Sequence, residues 1–81
     1  MGTQSAPVPE AAKARLWRSA LKLSRAELSR LTGYSAQAIY MFERHDNHAP
    51  EVLKRYKLAC LGVAVLRRLS LKSVDDWTWE T

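Results

Sequence analysis

Two short apolar patterns, each opened by a serine, follow one another within residues 23–44. Ser24 is followed three residues later by Glu27, which is the spacing of a capping box at the start of a helix. Ser35 precedes the second pattern and is also a favoured residue before a first helical turn. Gly33 lies between the two patterns and suits the left-handed conformation that ends many helices. The stretch therefore predicts two helices joined by a tight turn.

The remaining sequence is also helical in its periodicity, so we predict an all-α protein, a compact bundle of about four to five short helices. The helices are expected at residues 10–22, 25–31, 36–44 and 51–69. On the first helix we expect Leu16 to face the core and Arg18 to face solvent. Pro50 suits the first turn of the last helix, whereas Gly62 weakens the prediction that this helix is unbroken.

The positive charge is concentrated in the body of the chain. All thirteen Lys and Arg residues lie between Lys13 and Lys72, together with only four of the eight acids, so this span carries a net charge of +9. A basic body attracts polyanions such as nucleic acid, although many small domains with other functions are basic too. The other acids are Glu10, before the span, and Asp75, Asp76 and Glu80, after it.

The stretch LSRAELSRLTGYSAQAIYMFER, residues 23–44, resembles the helix-turn-helix of the phage-repressor (Xre/Cro-like) family of DNA-binding transcriptional regulators. Counted from Arg25, the small Ser29 is fifth, where the two helices approach, and Gly33 is ninth, in the turn. The fourth, fifteenth and eighteenth positions are core positions, held here by Leu28, Ile39 and Phe42. The resemblance covers about half of the chain, including the end of the first helix and the Pro-x-x-Leu of residues 50–53.

Three departures from the family pattern lie within the motif and the loop that follows it. Arg25 stands where the family often has Gln, a residue that helps to anchor the DNA backbone. The positive charge of Arg25 can serve the same purpose. Ser29 stands where Ala is more usual. The loop from His45 to His48 lacks the Gly and Lys or Arg that usually follow the second helix of the motif, which makes the backbone contacts of this loop weaker or sensitive to pH.

The resemblance implies a lambda-repressor-like bundle that binds double-stranded DNA with helix 36–44 in the major groove. Since Ile39 and Phe42 face the core, the base-reading residues would be those on the outward side of this helix, namely Ala36, Gln37, Tyr40, Met41 and Arg44. The DNA backbone would be held from the helix starts and the following loop, by Ser24, Arg25, Ser35, Asn47 and His48.

Alternatives remain open for several of these residues. Tyr40 and Met41 can be core residues of a helix that is covered on two sides, and Gln37 can be a surface residue without a partner. Arg44 can pair with Glu43 or Asp46 on the surface instead of contacting DNA. Ser24 and Ser35 can serve as caps alone, although capping and phosphate contact are compatible.

The last helix carries two apolar stripes on nearly opposite sides. The inner one is expected to pack on the core and comprises Val52, Tyr56, Ala59, Val63 and Leu66. The outer one needs another partner and comprises Leu58, Leu61, Val65 and Leu69. We expect this outer stripe to form a homodimer interface; the alternative is that the tail, residues 73–81, folds back over it with Val74, Trp77 and Trp79.

Other classes of function find little support in the sequence. There are no paired carboxylates, no activated Ser or Cys and no Gly-rich phosphate loop, so we expect no enzyme activity. The single Cys60 excludes an intramolecular disulfide, and its spacing from His45 and His48 matches no standard metal site. We expect no cofactor, no metal and no small-molecule ligand. No apolar run is long enough for a membrane span and no signal peptide is recognisable, so a cytoplasmic location is expected.

The sequence therefore predicts a flexible arm (1–9), a helix-turn-helix DNA-binding and dimerisation domain (10–72) and an acidic, Trp-containing tail (73–81). The leading hypothesis is a dimeric autorepressor that binds an inverted-repeat operator. It would be of the kind found in phages and mobile elements, for example beside anti-CRISPR genes. The alternative is an antitoxin or a protein-interaction module that uses the outer stripe and the tail.

Overall fold

The computed structural model describes residues 9–79; most of the predicted arm and the last two residues of the tail lie outside this part. Within it the chain is an all-α bundle, which confirms the predicted fold class. The elements are α1 (Glu10–Ala20), α2 (Arg25–Thr32), α3 (Ala36–Arg44), α4 (Pro50–Arg68) and a single 3-10 turn at Val74–Asp76.

The junction between α2 and α3 forms as the sequence predicts. The hydroxyl oxygen of Ser24 accepts from the backbone N–H of Glu27 at 3.0 Å, and the Glu27 carboxylate accepts from the backbone N–H of Ser24, also at 3.0 Å. Ser35 caps α3 by accepting from the N–H of Ala38 at 3.0 Å. Gly33 has a φ of 84°, the left-handed conformation that lets the chain leave α2 without a Cβ clash.

The core lies where α2, α3 and α4 meet. Leu28, Ile39 and Val63 contribute one fully buried side chain from each of these helices. Leu23 closes the core at the end of the segment that follows α1. Because α2 and α3 are too short to be stable alone, this shared burial holds them in place.

An aromatic cluster attaches α3 to α4. The rings of Phe42 and Tyr56 are stacked, with centroids 4.1 Å apart, and Tyr34 contacts both edge-on at 5.8 and 5.3 Å. His48, in the loop between the two helices, lies against Phe42 with ring centroids 4.6 Å apart. Stacked and edge-on pairs are the favoured aromatic geometries and stabilise beyond the area that they bury.

A buried ionic cluster connects the first three helices. The Glu43 side chain is only 1% exposed and accepts from Arg18 at 2.6 and 2.9 Å and from Arg25 at 3.1 Å. Arg18 also donates to the carbonyl of Leu23 at 2.9 Å. Burial alone raises the pKa of a carboxyl, but the bonds from Arg18 and then Arg25 outweigh it, so the pKa of Glu43 lies below its ordinary value.

The ionic cluster corrects two expectations for α1. Arg18 was expected to face solvent but turns inward to Glu43, whereas Leu16 was expected in the core and is 57% exposed. Ala11, Ala14 and Trp17 of α1, and Leu21 directly after it, are the apolar residues that face inward. The apolar pattern alone predicted the wrong buried face for α1, because such a pattern treats every arginine as a surface residue.

The start of α1 and the course of α4 were also only partly predicted. The carboxylate of Asp46, in the loop after α3, accepts from the backbone N–H of Ala11 at 2.8 Å and so caps α1 from a distant part of the chain. On α4, Leu53 packs on the core and Val52, which was expected there, is exposed. The helix is continuous through Gly62.

Removing one partner of the buried ionic cluster should destabilise the fold. We expect Arg18→Met to lower the free energy of unfolding by about 3 kcal/mol, because Glu43 then keeps only Arg25 as a cationic partner. Urea unfolding followed by circular dichroism measures the difference. Lys13→Met is the matched control, since it removes an exposed ion pair with Glu10 at 3.6 Å and should leave stability unchanged. Equal effects of the two substitutions would contradict this role of the cluster.

The same cluster should make stability depend on acid pH. Since the pKa of Glu43 is lowered in the folded state, its contribution is fully present above about pH 4.5 and is lost as pH falls through the folded pKa. The difference in unfolding free energy between wild type and Arg18→Met should therefore be largest at neutral pH and shrink in acid. Urea titrations at a series of pH values test this, and a difference that does not change with pH would contradict it.

Candidate nucleic-acid interface

The outward side of α3 collects most of the predicted base-reading residues on one exposed surface. Ala36, Gln37, Met41 and Arg44 are exposed, whereas Ile39, Phe42 and Glu43 on the other side are buried. Gln37, Met41 and Arg44 follow one another at spacings of four and three residues, which places them on one face of the helix, and Ala36 lies beside Gln37 at the start of that face. This face combines amide, thioether and guanidinium groups, a mixture that can both donate hydrogen bonds and make apolar contacts.

Tyr40 lies on the same helix but is half-buried between two arginines. The guanidinium carbon of Arg25 lies 5.1 Å from the ring centroid, and that of Arg44 lies 5.4 Å away. Both distances are within the range of a cation–π contact. The aromatic ring therefore holds one cation from α2 and one from α3 next to the exposed face.

Arg25 is fixed by two different partners. Its Nε donates to Glu43, while its guanidinium group lies beside Tyr40 and its side chain remains 40% exposed. The two arginines and one carboxylate leave this cluster with a net positive charge, and Arg25 is the more exposed of the two arginines, since the Arg18 side chain is only 13% exposed. The position of Arg25 suits the predicted backbone contact, and it also has the structural role in the ionic cluster.

Arg44 forms neither of the surface ion pairs considered as an alternative for it. Within residues 9–79, Glu43 is bound to Arg18 and Arg25, and the Asp46 carboxylate accepts from Ala11. The Arg44 side chain lies instead over Tyr40 and is exposed. It is therefore available to an anionic ligand at the end of α3.

The helix starts of α2 and α3 supply further polar groups. The hydroxyl oxygens of Ser24 and Ser35 accept from the backbone as caps, and both residues are exposed, so each O–H can still donate outward. The first N–H groups of a helix lack intrahelical partners and carry the positive end of the helix dipole. Such helix starts favour an anion.

The loop after α3 separates the two residues that were predicted as a backbone clamp. Asn47 is exposed, as a contact with DNA requires. His48 is half-buried, with its ring on Phe42 and its Nε2 at 3.2 Å from the carbonyl oxygen of Met41. His48 therefore packs the loop against α3, and this role is visible only in the structure.

Glu43 is the positioning residue that the sequence analysis did not single out. It binds Arg25 and so fixes the position of that side chain. Glu43 lies four residues after Ile39 and is buried on the same side of α3. A signal was present, because an acid four residues after a predicted core residue lies on the buried face and requires a cationic partner. The partner was not predictable, because Arg18 lies 25 residues earlier in the chain.

The outer stripe of α4 is exposed, as the sequence predicts. Leu58, Leu61 and Leu69 are 62, 60 and 58% exposed, and Val65 is 43% exposed. Between this stripe and the tail lies an open apolar groove of about 640 Å³, whose second wall is formed by Leu71, Val74 and Trp77. The tail thus lies beside the stripe rather than over it, and Trp79 remains exposed.

Residues 9–79 contain neither a cluster of metal-binding side chains nor a membrane-spanning helix. No three His, Cys, Asp or Glu side chains lie close enough together to hold a metal ion. None of the helices combines the length and apolar character that crossing a membrane requires.

Comparison of the chain with protein-family models, with curated proteins and with solved structures found no match.

Proposed function

We propose that this protein is a sequence-specific double-stranded DNA-binding transcriptional regulator that inserts α3 into the major groove. The observation that carries the proposal is the exposed face of α3, whose side chains lie beside two capped helix starts and two arginines fixed around Tyr40. A face of this kind offers base contacts at its centre and phosphate contacts at its edges.

The base-reading role falls first on Gln37, because its amide can make a bidentate pair with adenine. Arg44 can pair with guanine or with a phosphate. Ala36 and Met41 supply apolar contacts, for instance to a thymine methyl group. Tyr40 contributes by holding Arg25 and Arg44 beside the face and by contacting a phosphate or sugar.

Contacts with the DNA backbone would come from the surrounding groups. Ser24 and Ser35 lie at exposed helix starts, Arg25 projects from the first turn of α2, and Asn47 is exposed in the loop after α3. The net charge of +9 on residues 13–72 supports such binding because cationic side chains release the counterions of DNA. The resemblance of residues 23–44 to the phage-repressor family supports the same assignment.

We further propose that the regulator is a dimeric autorepressor. Two copies of α3 would read the half-sites of an inverted repeat, about 10–10.5 bp apart, and the bound dimer would occlude its own promoter. A place in a phage or mobile element, for example beside anti-CRISPR genes, is a proposal by analogy with small regulators of this kind.

A second candidate function is a protein-interaction module, such as an antitoxin. The exposed outer stripe of α4 and the apolar groove beside it favour this candidate, because a large exposed apolar patch marks an interaction site. The two functions differ in their dependence on salt. DNA binding weakens steeply with salt, whereas apolar docking does not.

A gel-shift assay with DNA from immediately upstream of the gene tests the proposed function. Scrambled DNA of the same length and composition is the control, at ~150 mM salt. Binding of the upstream fragment alone would support a sequence-specific autoregulator. Equal and weak binding of both fragments would count against it and favour the interaction module.

Gln37→Ala should reduce the preference for the specific site. We expect about 1–3 kcal/mol less discrimination against random DNA, because a bidentate base contact is lost while the phosphate contacts remain. Fluorescence anisotropy with both DNAs measures this. Asn47→Ala is the matched control, since loss of a phosphate contact should weaken binding to both DNAs by the same factor. Equal losses for Gln37→Ala on both DNAs would mean that Gln37 does not read bases.

Paired substitutions at Ser35 separate capping from phosphate contact. Asn and Asp are both good helix caps, so Ser35→Asn and Ser35→Asp should unfold at similar urea concentrations to wild type. Only Asp places a negative charge next to the predicted phosphate, so Ser35→Asp should lose at least about tenfold in DNA affinity relative to Ser35→Asn. Equal DNA binding by the two variants would leave Ser35 with the capping role alone.

A further inference from the structure

A second group of cations lies outside the exposed face of α3, at the end of α4. Arg30 of α2, Arg67 of α4 and Lys72 after α4 line one depression of about 350 Å³. Lys22 follows directly on Leu21, whose carbonyl oxygen accepts from Arg67 Nη2 at 3.0 Å. Cations from four separate segments therefore meet at one place. We call these four exposed residues, Lys22, Arg30, Arg67 and Lys72, the basic patch.

The charge of the basic patch is not neutralised by the acids around it. Glu27 lines the depression, but its carboxylate already accepts from the backbone N–H of Ser24. The bonds with Ser24 lower the pKa of Glu27 most, and the nearby charges of Arg30 and Arg67 lower it further. Within residues 9–79, no ion pair joins the patch to the acids of the 3-10 turn. Four cations against the one carboxylate of Glu27 leave a net charge of +3.

The floor of the depression is apolar and intensifies this charge. It is formed by Leu23, Leu31, Val63, Leu66 and Leu71. A cleft that carries charges of one sign on walls of low dielectric constant focuses the electric field and concentrates counter-ions. The depression therefore attracts an anionic group more strongly than the same cations would on a flat surface.

The basic patch continues the predicted backbone contacts at the start of α2. Lys22 comes two residues before Ser24, which is exposed and caps α2. At 3.6 residues per turn, Arg30 lies on nearly the opposite side of α2 from Arg25, whose guanidinium group reaches Tyr40 of α3. The patch thus begins beside the phosphate proposed for Ser24 and extends along α2 on the side turned away from α3.

We propose that the basic patch binds phosphates of the same DNA duplex, beyond the base pairs that α3 contacts. This contact rests on the proposed function and lengthens the stretch of DNA that each protomer holds. Arg67 and Lys72 supply it from outside residues 23–44, the stretch that carries the helix-turn-helix. Phosphates carry no sequence information, so the contact raises affinity whatever the flanking sequence and makes binding more sensitive to salt.

Duplexes of two lengths test the basic patch. The short duplex contains only the site that footprinting of the shifted fragment defines, and the long duplex adds about ten base pairs, one helical turn, of scrambled sequence on each side. Fluorescence anisotropy at a series of salt concentrations measures both. The wild-type protein should bind the long duplex more tightly and with a steeper dependence on salt.

Arg30→Gln combined with Lys72→Gln removes two cations of the patch that are exposed and form no ion pair within residues 9–79. This double variant should bind the short duplex as wild type does. On the long duplex, its slope of log Kd against log salt should be smaller than that of wild type by about 2. Lys13→Gln combined with Lys57→Gln is the matched control, since it removes the same charge from two cations that pair with Glu10 at 3.6 and 3.2 Å. The control should keep the gain from the longer duplex.

The outcomes separate the basic patch from the proposed function. Equal affinity of wild type for the two duplexes would overturn the patch contact and leave sequence-specific binding by α3 intact. Equal losses by the patch variant on both duplexes, or by the patch variant and the control on the long one, would also overturn it, because its cations would then not act on the flanking DNA. Failure of the wild-type protein to bind either duplex would contradict both proposals.

Discussion

The position of α3 depends on one buried carboxylate. Glu43 accepts from Arg18 of α1 and Arg25 of α2, so a single side chain fixes the orientation of α3 relative to the two helices before it. Apolar packing of helices of eight or nine residues tolerates small rotations, but charged hydrogen bonds with defined directions do not. Even a small rotation of α3 about its axis would separate the Glu43 carboxylate from Arg18 and Arg25. A buried carboxylate without a cationic partner is strongly destabilising.

The same cluster determines what the outward face of α3 can present. With Glu43 turned inward, Gln37, Met41 and Arg44 point to solvent, and Arg25 is brought across from α2 to the ring of Tyr40. The candidate interface therefore takes its cations from two helices. The aromatic cluster of Phe42 and Tyr56 supports this arrangement from the side of α4, where it prevents α3 from tilting away.

Features encoded within a few residues were predictable from the sequence, and features that join distant residues were not. The capping box of Ser24, the cap of Ser35 and the turn at Gly33 each follow from local backbone chemistry, and each is confirmed. The inward turn of Arg18 and the cap that Asp46 provides to α1 connect residues 25 and 35 positions apart. Helical periodicity contains no information on such pairs. The exposure of the outer stripe of α4 was predictable because it lies nearly opposite the stripe that packs on the core. The groove was not, because it depends on the path of the tail.

The division of α3 into two sides has a consequence for how such a protein can change over time. Within residues 9–79, the side-chain hydrogen bonds and ion pairs that hold α3 involve Glu43 on its inner side and its cap Ser35, and none involves the side chains of Ala36, Gln37 or Met41. Substitutions at exposed positions without such contacts usually leave stability almost unchanged. These positions can therefore vary freely without loss of folding. Under the proposed function, a lineage of such proteins would acquire new target sequences by single substitutions while every descendant keeps the same bundle.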